Sequence, residues 1–138
     1  MSDGKELIGP RIGVYYGVII DQDHLNQKLQ PIEFGEIVKN ITGVCPFDKQ
    51  AEWKLDYDHS QCYQTIVIYH KDYTKISGCP GFLGGWSANG NTKDVPIDIA
   101  AIAEDISEAI EKRIYPQLIN SEVYAVLAVG YCAVYLVG

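Results

Sequence analysis

Among the 138 residues of this chain, covalent chemistry has its best candidates in Cys79, His70 and Asp94. A thiol becomes a nucleophile when a nearby base takes its proton, and a carboxylate can hold that base in the required tautomer. Cys79 lies in a glycine-rich stretch, His70 closes an apolar run upstream of it, and Asp72 or Asp94 could orient the imidazole. No short motif ties these residues together. A cysteine-dependent hydrolase or transferase is therefore one expectation, and an unreactive loop thiol is the other. Cys62 and Cys132 fall in apolar strand-forming runs, where a thiol is usually inert packing. His24, just beyond the first strand, is expected to be exposed.

Metal and phosphate chemistry are less well served. His59 and Cys62 form one short metal-type pair, with Cys45 and Cys79 as conceivable further ligands. Structural zinc sites normally combine two such short spacings. No metal and no cofactor are therefore expected. The run Gly85-Trp86-Ser87-Ala88-Asn89-Gly90-Asn91-Thr92 nearly fits the phosphate-binding pattern G-x-x-x-x-G-K-[ST]. Asn91 stands where that pattern needs a lysine, and Pro96 delays the start of the following helix, so nucleotide triphosphate hydrolysis is not expected.

A non-covalent ligand fits the same stretch better. Glycines such as Gly84 and Gly85 let main-chain N–H groups face an anion, and the helix start that follows adds positive partial charge. Phe82 and Trp86 could stack on a flat molecule, while Asn89, Asn91, Thr92 and Lys93 offer polar contacts. Residues 77–94 could thus seat a small anionic or aromatic, nucleotide-like ligand, with the loop at a subunit interface. Equally, Phe82 and Trp86 could tuck into the core or a subunit contact.

The elements that must position these residues follow from periodicity. Residues 11–21 alternate as a strand, with Gly13 and Gly17 on one face leaving room for a close neighbour, and that strand reads as central. Phe34, Ile37, Val38 and Ile41 mark a helix over 31–42, with Pro31 at its start and Gly43 past its end. Residues 51–58 and 62–71 form a hairpin. In the first of these strands Trp53, Leu55 and Tyr57 face inward and Glu52, Lys54, Asp56 and Asp58 face water. The second is apolar on both faces around Ile66, Val67, Ile68 and Tyr69. Residues 72–95 show no periodicity and are expected to be a long glycine-rich loop. A second helix covers about 96–115 on the stripe Ile99, Ile102, Ala103, Ile106, Ala109, Ile110 and Ile114. A final strand covers 123–137. The order β-α-β-β-α-β predicts one α+β domain over 1–138, with a flexible 1–10 segment and a ferredoxin-like antiparallel sheet carrying both helices on one face.

The final strand is the strongest physical signal in the chain. From Val123 onward it has no charged side chain, and both of its faces are apolar. Fifteen extended residues span about 50 Å at about 3.3 Å each, more than a subunit of this size is wide. The strand must bend, with Gly130 the natural point, or reach a neighbour. Val126, Leu127, Val129, Tyr131 and Tyr135 are the candidate interface residues, and wide tyrosine rings suit such contacts.

Composition narrows the partners. The formal charge is −7, and the eleven basic residues are scattered, with Lys112–Arg113 the one adjacent pair. Such a surface repels phosphate backbones, so no nucleic acid partner is expected. The apolar C-terminal run is short for a membrane span and lacks a basic flank, so no membrane partner is expected. The first residues lack a signal-peptide pattern, which points to a reducing, cytoplasmic setting with free thiols. The helix end Glu111-Lys112-Arg113-Ile114-Tyr115-Pro116, followed by a closing strand, is similar to phage tail-terminator proteins over that handful of residues. The resemblance implies a structural ring component and a virion-associated location. The leading expectation is a homo-oligomeric, non-enzymatic structural or adaptor protein assembled through its last strand.

Overall fold

One strand, β1 (Arg11–Asp21), carries pairing partners along both of its edges. The computed structural model describes residues 11–23, 28–59, 63–77, 95–114 and 126–136. Around β1 stand α1 (Pro31–Thr42), β2 (Trp53–Tyr57), β3 (Thr65–His70), β4 (Lys75–Ser77), α2 (Ile97–Ile114) and β5 (Val126–Leu136). The architecture is α+β, with a curled, wholly antiparallel sheet and two helices.

β5 pairs with β1 residue for residue, from Arg11↔Leu136 to Asp21↔Val126. A strand has two hydrogen-bonding edges, so β3 and β4 must share the other one. β3 takes Gly17–Asp21 and β4 takes Ile12–Val14. Between them Tyr15 and Tyr16 face residues 70–74, which loop outward through a 3-10 turn, Lys71–Tyr73. The interruption is sealed by a side chain: the Tyr16 main-chain N–H donates to Thr74 Oγ1 at 2.9 Å. β2 pairs with β3 on its far side.

The helices end where the sequence says they should. Glu33 Oε2 accepts from the Gln30 N–H at 2.9 Å, closing the first turn of α1. Gly43, at φ 83°, donates its N–H to Lys39 O at 2.8 Å. Gly35, a poor helix former, has a packing role, because a Cβ there would lie 2.7 Å from a Phe47 ring carbon. Arg113 of α2 reaches Glu33 of α1 at 2.6 Å, a half-exposed pair worth little by itself.

Both faces of the sheet are buried at its centre. Tyr16, Val18, Ile20, Trp53, Leu55, Ile66 and Ile68 pack against Phe34 and Val38 of α1 and Ala103, Ile106, Ile110 and Ile114 of α2. Each buried valine, leucine, isoleucine or phenylalanine among them contributes about 1.5–3 kcal/mol by leaving water. On the opposite face Tyr15, Val67 and Leu136 form a second buried cluster, flanked by Ile19, Tyr69 and Val134. Gln22, fully buried, joins three segments: its Nε2 donates to Leu29 O (3.2 Å) and Tyr63 O (2.8 Å), while its Oε1 accepts from the Leu29 N–H (3.0 Å).

Several expectations change. The expected ferredoxin-like sheet has four strands, whereas five are present here, because β4 and the 3-10 turn occupy the first part of the stretch expected to be loop. Asp56 does not face water. It lies opposite the fully buried Val67, so it shares the face of the second cluster and is itself buried. Of the strand expected over 123–137, β5 covers Val126–Leu136 and is matched in length by β1, while residues 123–125 and 137 lie outside the described ones. At its middle Gly130 (φ 123°) faces Gly17 (φ 157°), so the two strands depart from regular extended backbone at the same level.

Gly17 is the position most closely fitted. A Cβ there would come 1.9 Å from Ile68 O, a main-chain atom that cannot swing aside. Gly17→Ala should lower unfolding free energy by roughly 3 kcal/mol, the range of a strained, overpacked backbone site. Gly43→Ala meets nothing within 4 Å and carries only the left-handed backbone penalty, about 1 kcal/mol. Urea midpoints of the two variants against the parent check the ranking, and equal losses would contradict it.

Candidate functional site

The ligand residues expected from the sequence, Phe82, Gly84, Gly85, Trp86, Asn89, Asn91, Thr92 and Lys93, lie outside the described residues, as do Cys79, Asp94, Cys62 and His24. Two expected sites can be built from the described ones: the surroundings of His70 and the outer strand β5.

His70 ends β3 opposite Trp53 and is 3% exposed. The Trp53 ring stands edge-on to it at 5.2 Å, and the Tyr73 ring lies at 5.2 Å on another side. Its Nδ1 accepts the Asp72 main-chain N–H at 3.2 Å. A neutral imidazole has one lone pair, so an accepting Nδ1 places the proton on Nε2, which lies 3.9 Å from Glu52 Oε1. No lone pair is left to take a proton from a nucleophile. The Asp72 carboxylate, an expected orienting group, instead meets Lys71 Nζ at 3.3 Å. What orients the ring is the Asp72 backbone. His70 thus fixes the 3-10 turn between β3 and β4. Burial pushes its pKa down, against the opposing pull of Asp72, Glu52 and Asp98, and Lys71 adds to the lowering.

The other titratable candidates fit structural roles too. Burial pushes the Cys132 thiol up, favouring the protonated form, which is a poor nucleophile. His59 stacks on Tyr57 at 4.8 Å. Among the described residues no three histidine, cysteine or acidic side chains gather as a metal site. A cavity of about 420 Å³ lined by Val44, Asp48, Lys49 and Gln50 is open, and its polar residues are all exposed.

β5 is different in kind. Cross-strand partners share a face, so Leu127, Val129 and Tyr131 lie on the helix side with Ile20, Val18 and Tyr16. Leu127 and Tyr131 pack against the main core, with the Tyr131 and Tyr16 rings 5.0 Å apart. Val129 is 37% exposed and Tyr135 57%, and Ala133 between them is exposed. Val126 opens the strand opposite Asp21. On the other face Leu136 is fully buried and Val134 half-buried. Among the described residues β5 pairs only with β1, which leaves its outer edge without a partner strand. That edge is eleven residues long and bears no charge.

The opposite border of the sheet, β2, has five residues and carries Lys54 and Asp56. Lys54 Nζ is tied to Asp48 O (3.2 Å) and Lys49 O (3.0 Å). Short, charged strands are the usual protection against edge-to-edge pairing. Sequence reading anticipates the apolar character of β5. It misses β2 as the guarded border, for which the Lys54–Asp56 alternation is the available signal.

No protein-family model, curated protein or solved structure matches this chain. Among the described residues, no helix is long and apolar enough to cross a membrane.

The His70 geometry sets a pH dependence. The folded-state pKa lies below the ordinary histidine value near 6.5, so below that pH the unfolded chain binds the proton more readily. Stability is then whole above about pH 6.5 and is lost as pH falls towards the folded pKa. His70→Asn retains an acceptor near the Nδ1 position and does not titrate. The expected result is a smaller drop in urea midpoint between about pH 7.5 and about pH 5 in the variant than in the parent. Parallel profiles would show that His70 does not contribute.

Proposed function

We propose that this chain is a homo-oligomeric, non-enzymatic structural or adaptor subunit that assembles through β5. The observation that carries this reading is the charge-free outer edge of an eleven-residue strand, with Val129 and Tyr135 exposed beside it. Open edges of this length expose N–H and C=O groups that only another strand satisfies in a row, and proteins that stay monomeric blunt them. The rest of the surface works against self-association, since each copy carries −7. A non-enzymatic role is supported by His70, whose lone pair serves the fold. We further propose that β3 and β4 are one strand interrupted by the 3-10 turn, which would make the sheet a variant of the ferredoxin-like order.

Two measurements test the assembly. Sedimentation velocity of the purified chain should show a species heavier than 15.3 kDa, and Val129→Lys should shift it to the monomer by placing a charge beside the seam. Association should also strengthen as salt rises from about 0.02 to about 0.5 M, because screening relieves repulsion between acidic copies while the seam has no ion pairs to lose. A monomer at all concentrations, or an assembly indifferent to Val129→Lys, would overturn the proposal.

A further inference from the structure

Resting on the reading of β5 as the assembly edge, we infer that the partner is a second copy of this chain, joined β5 to β5, antiparallel, about a two-fold axis at Tyr131. The contact closes on itself, so assembly through this edge stops at the dimer.

The partner's identity follows from the borders of the sheet. A strand edge is completed most fully by another strand edge, and among the described residues each copy offers three: β5, β2 and the three-residue β4, which carries Lys75 and is too short to cover β5. Joining β5 to β2 of the next copy would be head-to-tail and would generate rings or filaments. The pairing is poor, because five residues of β2 leave more than half of β5 without a partner, and Lys54 and Asp56 bring charge to an uncharged seam. Joining β5 to β5 uses the full length of both and brings no charge into contact. It is also the approach in which two copies carrying −7 each meet along neutral surface.

Direction and register follow from the same constraints. All neighbours in the sheet run antiparallel, and an antiparallel pair related by a two-fold perpendicular to the sheet keeps both sets of helices on one side. Side chains keep their face only in registers that slip by two residues. Of these, the full overlap of Val126–Leu136 makes the most hydrogen bonds. It sets Tyr131 opposite itself, Val129 opposite Ala133 and Leu127 opposite Tyr135. Val129, Ala133 and Tyr135, the exposed positions on the helix side of β5, would each gain an apolar cross-strand neighbour.

Disulfide trapping tests this. In a background with Cys45, Cys62, Cys79 and Cys132 changed to alanine, chains bearing Val129→Cys are mixed with tagged chains bearing Ala133→Cys and oxidised. Directly opposed Cβ atoms are about 5 Å apart, whereas Val129 and its own copy are offset by four residues, about 13 Å along the strand. The mixed disulfide should exceed the Val129→Cys self-product about tenfold. A dominant self-product, a sedimenting trimer or a larger ring, or a dimer that forms no β5 disulfide would overturn the two-fold pairing while leaving oligomerisation standing. A strict monomer would remove both. Should the alanine background fail to fold, hydrogen exchange of the unaltered chain decides: amides in 126–136 should lose protection on dilution through the dimer's dissociation, and unchanged protection there overturns the pairing.

Discussion

Everything in this fold is placed by the full occupation of β1. Its eleven residues have β5 on one edge and the β3–β4 pair on the other, so it has no register in which to slide. The cross-strand pair of Gly17 and Gly130 lets the ribbon leave regular extended geometry without separating. At Gly17 a neighbouring carbonyl sits where any side chain would begin. From that centre outward the constraints loosen. β3 is buried on both faces, β2 on one and in part on the other, and among the described residues β5 has no partner strand on its outer edge. A sheet fixed at its centre has already met the cost of ordering its β5 border. A partner strand would then bind a template that is already formed.

The regular elements were legible because each is long enough to repeat its pattern. The span 31–42 carries a proline, an apolar stripe and a terminal glycine, and α1 has those bounds. The stripe from Ile99 to Ile114 gives α2 to within a residue at each end. What could not be read is what depends on a neighbour. Asp56 alternates as though it were solvated, but its face is set by Val67 across the pair, and no local pattern reports that Val67's side of the sheet is covered. The β3–β4 interruption is invisible for the same reason: its repair is Thr74 Oγ1 on the Tyr16 N–H, a contact 58 residues apart in sequence. Gln22 has the appearance of an ordinary polar residue after a strand, although its amide ties the chain at Leu29 and Tyr63.

His70 shows what geometry adds to residue type. A histidine near a glycine-rich loop with aspartates on hand reads as a base. The ring instead lies between Trp53 and Tyr73 with its accepting nitrogen turned to the Asp72 backbone. The same atoms that would make it reactive hold the turn that lets β3 hand over to β4. That is a structural use of a titratable group, and it explains why burial is tolerated: the neutral form, favoured by desolvation, is also the form that accepts the hydrogen bond.

Length was the weaker half of the sequence argument for assembly, and charge the stronger. Over Val126–Leu136, β1 is as long as β5 and supports it at every residue. Among the described residues this support reaches one edge and part of the helix-side face. Acidic repulsion then acts as a filter on how copies can meet. Approaches over the charged surface are opposed, and the guarded β2 border gains little from pairing. Among the described residues, the strand that lacks charge is also the one whose outer edge has no partner strand. In the proposed assembly both features belong to one edge, so the surface permitted to associate and the surface that would gain from association coincide, which would favour a self-complementary contact over an extended polymer.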